Sequence, residues 1–185
     1  NRSPLFAISL SGKELSHSNF WAWLLEQEVE GKHPFIEVFI PDFYQNGCTF
    51  ISVEREKKHV DLTITYKNKT NETEVLIIEN KIKSIPTKEQ LMRYEEELGK
   101  QDLTITGILT GLYASLDIQE LGKWSFLSYQ EIAKRIMNIQ KQHATMDFAD
   151  YIKQYAEDIE VLYDLFQSKM EQNKGKYIIG YSFHI

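Results

Sequence analysis

The sequence is poor in cysteine and in long apolar runs, and each shortage excludes a class of protein. Its 185 residues include one cysteine, Cys48, so no disulfide can form within the chain, as is usual in a reducing compartment. Cys48 also lacks the supporting histidine motif of a cysteine protease. No apolar stretch approaches the ~20 residues that span a membrane, and no signal-peptide pattern opens the chain. We therefore expect a cytoplasmic protein with no membrane partner.

Positive charge is also in short supply. The chain has 21 lysines and arginines against 27 acidic residues, for a formal net charge of -6. This balance excludes a strongly basic nucleic-acid-binding protein, although metal ions and a local basic rim can offset phosphate charge at one site. A hydrophobic content of 42% over 185 residues is enough for one sizeable core and too little for two. We predict a single domain over residues 1–185.

Hydrophobic periodicity predicts alternating helices and strands. The predicted elements are a helix over 12–27, a short helical or irregular segment over 35–43, strands over 50–56, 59–67 and 74–81, a helix over 87–98, strands over 103–109 and 125–128, and helices over 129–142 and 147–170. Ser9 or Ser11 is suited to cap the first helix, and Thr87 to cap the second long one. The order favours an α/β fold with a central mixed sheet and extra C-terminal helices.

Acidic residues occur at the ends of two predicted strands. Asp61 lies near the start of one strand, and Glu79 and Lys81 close the next one along the chain. Side chains two residues apart point to the same face of a sheet, so the three side chains converge if the strands are neighbours. A carboxylate that ends a buried apolar strand is costly unless it is paired or bound to a cation.

The types of residue in this group suit metal-assisted phosphodiester hydrolysis. Mg²⁺ takes oxygen ligands from one or two carboxylates, and the backbone carbonyl of Asn80 is a further candidate ligand. Mn²⁺ is a possible substitute. Such a metal polarises a phosphate and lowers the pKa of bound water, while Lys81 can orient that water or stabilise the transition state. The alternative is a structural role, with Glu79 paired to Lys81, and Asp61 paired to His59 or Arg55.

Several separated motifs surround the acids. They are Glu14-Leu15-Ser16-His17-Ser18, Glu54, Ile78-Glu79-Asn80-Lys81, Gln90-Leu91-Met92-Arg93-Tyr94, and Trp124 with Leu127-Ser128-Tyr129. In this order they resemble the PD-(D/E)xK nuclease superfamily, in particular a bacterial branch with an E-x-x-H-S helix. The resemblance covers residues 11–135, and a C-terminal helical region over 129–172 overlaps the end of this range. No proline precedes Asp61, a departure that many members of the superfamily share.

The resemblance implies a restriction-endonuclease-like αβββαβ core and divalent-metal hydrolysis of phosphodiester bonds. We expect the substrate to be DNA and the role to be defence or repair. The resemblance also implies roles for individual residues: Asp61 and Glu79 resemble metal ligands, Lys81 the catalytic lysine, Glu14 an acid that completes the metal site, and Gln90 and Tyr94 helix residues that steady the site or touch substrate.

Two motif residues and a set of basic residues have ordinary structural explanations as well. His17 can be a hydrogen-bonded helix histidine, a metal ligand or a support for the site. Glu54 can pair with Arg55, Lys57 or Lys58, or take a role in the site. The basic residues in the 55–59 run, with Lys81, Lys83, Lys88 and Arg93, form either a solvated face or a surface that phosphates approach.

Three functions remain open on the sequence. The first is a metal-dependent DNA endonuclease or exonuclease. The second is a nuclease-like binding or assembly module with little or no catalysis, which the acidic charge and the aromatic residues of the last helix favour. That aromatic stripe, which includes Phe148, Tyr151 and Tyr155, indicates a core face or a dimer surface, and the strand-like stretch over 177–185 is an edge that could pair with another chain. The third is an α/β protein whose acids coincide by chance.

Overall fold

A computed structural model describes residues 12–56, 60–82, 88–99, 103–113 and 123–172 of the chain. In chain order the elements are α1 (Glu14–Leu25), a 3₁₀ helix (Pro34–Val38), β1 (Thr49–Arg55), β2 (Leu62–Lys67), β3 (Thr73–Lys81), α2 (Lys88–Gly99), β4 (Thr104–Gly111), β5 (Trp124–Ser128), α3 (Tyr129–Gln142) and α4 (Ala149–Gln172). The predicted order of helices and strands is confirmed.

The five strands form one mixed sheet in the order β1-β2-β3-β4-β5. The pairs β1–β2 and β2–β3 are antiparallel, whereas β3–β4 and β4–β5 are parallel. The central strand β3 has four consecutive aliphatic residues, Val75 to Ile78, all of which are buried. Such a run is typical of a strand that is covered on both faces, so the predicted central mixed sheet is confirmed.

Helices cover both faces of the sheet. The larger core contains Ile64, Ile78 and Ile108 of the sheet and buried residues of α1, α3, α4 and the 3₁₀ helix. The smaller core contains Ile77 of β3 together with Leu91 and Tyr94 of α2. Neighbouring residues of a strand point to opposite faces of the sheet, and this alternation of side-chain direction continues to the end of β3. Glu79 therefore faces α2, and the next residue, Asn80, faces α1.

Two glycines let β4 pack tightly against its neighbours. A Cβ atom on Gly107 would lie 2.3 Å from Cδ2 of the Trp124 ring, and one on Gly111 would lie 2.6 Å from the carbonyl oxygen of Lys81. Both distances are shorter than van der Waals contact, so neither position accommodates a side chain unless its neighbour moves. Gly111 thereby permits the close approach of β4 to the last residue of β3.

Several predicted boundaries are wrong by one or a few residues. The first helix begins at Glu14, and Lys13 occupies its N-cap position without a side-chain cap. Asp61 lies just before β2 rather than within it, because β1 ends at Arg55 and the regular pairing of the two strands starts at Leu62. The proposed caps Ser9, Ser11 and Thr87, the basic residues Lys57, Lys58, His59 and Lys83, and the strand over 177–185 lie outside the described residues.

The aromatic stripe of α4 is buried only in part. Tyr155 is in the core, but Tyr151 is 56% exposed and Phe148, which precedes the helix, is 61% exposed. Both exposed rings pack edge-on against side chains of α1, since Phe148 and Tyr151 each contact Trp23. Among the described residues, no helix combines the length and the apolar character that crossing a membrane requires.

Candidate active site

The ends of β2 and β3 bring Asp61 and Glu79 to the same edge of the sheet. Leu62 pairs with Ile78 in an antiparallel register, so Asp61 lies one step further, at the level of Glu79. Oδ2 of Asp61 accepts a hydrogen bond of 2.7 Å from the backbone N–H of Asn80. Lys81 points to the same face as Glu79, and its Nζ lies 2.8 Å from Oε1 of Glu79. The three residues that the sequence pattern singled out are therefore neighbours.

The two oxygens of the Glu79 carboxylate have different surroundings. Oε1 is contacted by Nζ of Lys81 at 2.8 Å, by Nε2 of Gln90 at 3.2 Å and by the hydroxyl of Tyr94 at 3.4 Å. Oε2 is buried and has no hydrogen-bond partner within the part of the chain that the structure describes. The Glu79 side chain is only 2% exposed, so its carboxylate has one satisfied oxygen and one that lacks a partner away from solvent.

Burial makes the negative charge of both acids costly. It raises the pKa of Glu79, and the charge of Asp61 adds to this rise, while the hydrogen bonds from Lys81 and Tyr94 oppose it. Burial also raises the pKa of Asp61; the Asn80 N–H and Lys81 oppose that rise, and the charges of Glu14 and Glu56 add to it. Each net shift is upward, so the positive charge at the site does not fully compensate its acids.

Lys81 stays charged in this setting. Its side chain is 19% exposed, and burial by itself would lower its pKa. The hydrogen bond to Glu79 and the negative charges of Glu79, Asp61 and Glu14 outweigh that effect, so that the pKa of Lys81 is raised. Lys81 is therefore a positive group and a hydrogen-bond donor rather than a base.

Glu14, the first residue of α1, is a third acid at the candidate active site. Its Oε1 accepts a hydrogen bond of 2.7 Å from the backbone N–H of Ile82, directly after β3. The electrostatic influence of Glu14 on Asp61 and Lys81 shows that its charge acts on the same site. The structure thus brings together four residues from three separate parts of the chain.

Asn80 lies beneath these acids on the opposite face of β3. Its side chain is fully buried and contacts Ser18, Thr110 and Tyr129 as well as the backbone of Glu14. Sequence reasoning considered only the backbone carbonyl of Asn80 and missed these side-chain partners. A neutral polar residue at the end of an apolar strand was the available signal, and Ser18 follows Glu14 at the i, i+4 spacing of one helix face.

His17 and Glu54 are not among the groups in direct contact with Glu79. His17 is fully buried in the larger core, where its Nδ1 lies 2.8 Å from the hydroxyl of Tyr155. Glu54 lies on β1 opposite Thr63, which is two residues from Asp61 and so points to the same face. Glu54 is therefore one strand away from the acids.

The basic residues around the site have varied surroundings. The Arg55 side chain donates to Oδ1 of Asn19 in α1. Arg93 is exposed, and its guanidinium lies 5.7 Å from the ring centre of Tyr94. Arg93 is therefore an exposed cation on α2, the same helix whose Gln90 and Tyr94 contact Glu79.

The acids suit a divalent cation held by few protein ligands. Among the described residues, no group of three or more His, Cys, Asp or Glu side chains is arranged as a metal site. Mg²⁺ is commonly held by one or two carboxylates, with water and phosphate at the other positions. Oε2 of Glu79 is buried without a partner among the described residues, and a cation would stabilise this anionic oxygen. The charge of Asp61 acts on the same carboxylate. These residues fit such an ion.

Comparison with known protein families agrees with the fold. A family model described as the PD-(D/E)XK nuclease superfamily matches residues 5–160, which is most of the chain and includes all the candidate site residues. Searches of curated proteins and of solved structures gave no match. Nucleases of this superfamily generally use divalent metal ions. The chain belongs to the PD-(D/E)XK nuclease superfamily.

Proposed function

We propose that the chain is a nuclease that hydrolyses phosphodiester bonds of DNA with Mg²⁺, or with Mn²⁺ in its place, in defence against foreign DNA or in repair. The single observation that carries the proposal is the Glu79 carboxylate. One of its oxygens takes three contacts from the protein, and the other, although buried, takes none from the residues that the structure describes. A structural ion pair with Lys81 explains the position of the first oxygen. It does not explain why the second oxygen is buried without a partner among the described residues.

The acids would hold the cation. Oε2 of Glu79 and the carboxylate of Asp61 are the proposed ligands, and Glu14 and the backbone carbonyl of Asn80 are further candidates at the same edge. When bound, the cation would polarise the scissile phosphate and lower the pKa of a bound water molecule. The raised pKa values of Asp61 and Glu79 support this role, because an added positive charge relieves the burial of two negative groups.

Gln90 and Tyr94 would set the direction of the Glu79 carboxylate. Both contact Oε1, and Nε2 of Gln90 also lies 2.6 Å from the Tyr94 hydroxyl. Side chains of one helix thus hold one oxygen and restrict rotation of the carboxylate. Groups that orient a metal ligand in this way tune its affinity for the metal.

Lys81 would stabilise negative charge during the reaction. Its raised pKa keeps the ammonium group protonated, so Lys81 is suited to donate hydrogen bonds to a phosphate oxygen or to the attacking water. A positive group that is already positioned in a water-poor site lowers the energy of a transition state on which negative charge develops.

The second candidate function is a binding or assembly module with the nuclease fold and little catalysis. A net charge of -6 disfavours contact with DNA over a wide surface, and the exposed rings of Phe148 and Tyr151 are suited to a protein partner or a second copy of the chain. This function predicts that no cation binds at Asp61 and Glu79.

A cleavage panel separates the two functions. Single- and double-stranded DNA and RNA would be incubated with the wild-type chain in Mg²⁺, in Mn²⁺ and in a chelator. We expect metal-dependent cutting of DNA, and a loss of roughly 100-fold or more in Lys81→Ala. Lys153→Ala is the matched control, because Lys153 also lies near a glutamate, with Nζ 3.8 Å from Glu157, but on the exposed face of α4.

Three outcomes would overturn the proposal or part of it. Equal cutting by wild type and Lys81→Ala would remove the lysine from the reaction and point to a contaminating nuclease. Cutting of RNA alone would correct the substrate. No cutting of any nucleic acid, together with no heat on titration with Mn²⁺, would favour the binding module.

A further inference from the structure

A buried hydrogen-bond network lies directly beneath the candidate active site. The Asn80 network consists of Asn80 and its four partners Glu14, Ser18, Thr110 and Tyr129. Nδ2 of Asn80 donates to the backbone carbonyl of Glu14 at 2.9 Å and to the hydroxyl of Ser18 at 3.2 Å. Oδ1 accepts from the hydroxyls of Tyr129 at 2.6 Å and of Thr110 at 3.0 Å.

The network uses the whole hydrogen-bonding capacity of the Asn80 amide. A primary amide has two N–H donors and a carbonyl oxygen with two lone pairs, and each has a partner here. Asn80, Thr110 and Tyr129 are all fully buried. A buried polar group that is fully satisfied holds its neighbours rigidly, whereas losing one partner leaves an unpaired group at a high cost.

The network connects α1 to the end of β3, where the acids lie. The Asn80 amide holds the backbone of Glu14, and the Glu14 carboxylate in turn accepts from the N–H of Ile82. The N-cap residue Lys13 makes no side-chain cap for α1. The position of the first turn of α1 therefore depends on contacts with β3 rather than on a local cap. On its other side, the backbone N–H of Asn80 holds Asp61.

We propose that the Asn80 side chain is a positioning residue that sets where Glu14 lies relative to Asp61, with the Tyr129 hydroxyl as its anchor, and so sets the affinity of the site for its divalent cation. This inference rests on the proposed function, because it assumes that the acids bind a cation. The Asn80 side chain acts through Glu14 and Asp61. All hydrogen-bonding groups of its side-chain amide already have partners, so this amide does not contact the cation or the substrate itself.

Variants that remove a single hydroxyl group test this inference without creating a large cavity in the core. Tyr129→Phe removes one hydroxyl from Oδ1 of Asn80, and Ser18→Ala removes one acceptor from Nδ2. The matched control is Tyr66→Phe, because the Tyr66 hydroxyl also donates a partly buried hydrogen bond, to Oε2 of Glu74 at 2.7 Å, but at the opposite end of β2 and β3. Mn²⁺ affinity of the full chain would be measured by calorimetry, and cleavage would be measured over a range of Mn²⁺ concentrations.

We expect Tyr129→Phe and Ser18→Ala to bind Mn²⁺ roughly tenfold more weakly than wild type, since partners of metal ligands have effects of this size. Saturating Mn²⁺ should restore most of their cleavage rate, and Tyr66→Phe should bind as wild type does. Wild-type affinity in both variants, or an equal loss in Tyr66→Phe, would overturn the inference while the proposed function stands. A wild-type chain that neither binds Mn²⁺ nor cuts DNA would overturn the proposed function itself.

Discussion

The backbone N–H of Asn80 donates a 2.7 Å hydrogen bond to Oδ2 of Asp61 and so connects the end of β3 to the residue that precedes β2. Asn80 lies between Glu79 and Lys81, whose side chains point to the face that Asp61 shares. One main-chain bond therefore holds the first acid against the glutamate and the lysine. Because one residue separates them, Glu79 and Lys81 point to the same face of β3. The backbone N–H of that intervening residue, Asn80, binds Asp61.

Replacing Asp61 by asparagine should stabilise the metal-free protein at neutral pH. Burial raises the pKa of Asp61 in the folded state, so protonation favours folding. The stability that this group contributes is present below its ordinary pKa and is lost as pH rises through the raised, folded-state pKa. Asp61→Asn lacks this loss, and we expect its free energy of unfolding at neutral pH to exceed that of wild type by on the order of 1 kcal/mol.

Urea denaturation in a chelator, from acidic to neutral pH, measures this difference. The gap between Asp61→Asn and wild type should widen as pH rises. Glu72→Gln is the control of opposite sign, because hydrogen bonds from Asn68 and Thr70 lower the pKa of Glu72 at the exposed β2–β3 turn. A gap that stays constant with pH would show that the Asp61 charge is not costly in the fold.

Divalent cations should stabilise wild type but not Glu79→Gln. A ligand at 100 times its dissociation constant adds about 2.7 kcal/mol to the free energy of unfolding, and Glu79→Gln removes the negative charge that would hold the ion. Thermal unfolding with increasing Mn²⁺ measures the effect. The control Glu74→Gln removes an acid at the other end of β3, where Tyr66 and Asn68 are its partners. Equal stabilisation of Glu79→Gln by Mn²⁺ would place the cation elsewhere.

Gln90→Ala should reduce cleavage more than Tyr94→Phe. Nε2 of Gln90 contacts both Oε1 of Glu79 and the Tyr94 hydroxyl, whereas Tyr94 is 3.4 Å from Glu79. Without Gln90 the carboxylate loses one of the three contacts that orient Oε1, and we expect kcat to fall roughly 10- to 100-fold, as for other partners of metal ligands. Met92→Ala is the control on the exposed face of the same helix. An effect of Met92→Ala as large as that of Gln90→Ala would assign the loss to the stability of α2.

The two close-packed glycines of β4 should differ in their effect on the site. Gly107→Ala and Gly111→Ala both overpack the sheet, and each should cost about 1 to 3 kcal/mol of stability. Gly107→Ala presses on the Trp124 ring, whereas Gly111→Ala presses on the carbonyl of Lys81. Only Gly111→Ala should therefore reduce the cleavage rate of the folded protein, at a temperature well below both melting temperatures. Similar cleavage rates in the two variants would show that the position of Lys81 tolerates this shift.

Helix α3 shows that hydrophobic periodicity predicts the bounds of a helix but not its long-range side-chain contacts. Its bounds, Tyr129 to Gln142, were predicted because its apolar residues repeat with the helical period. The contact of its first side chain, the Tyr129 hydroxyl, with Asn80 could not be predicted, since no local pattern relates two residues so distant in the chain. His17 is similar: its partner Tyr155 is 138 residues away, so the sequence left both a structural and a supporting role open.

The sequence by itself determined that Glu79 and Lys81 share one face at the end of a buried strand, because side-chain direction alternates along a strand. It also determined the order of the elements and the motifs of the superfamily. Only the tertiary structure decided that, within the described part of the chain, Oε1 of Glu79 has hydrogen-bond partners while Oε2 has none. It also decided that every hydrogen-bonding group of the Asn80 side-chain amide is used beneath the acids. Those features depend on acceptors from α1 and on donors from α2, α3 and β4, which come together only when the sheet and its helices pack.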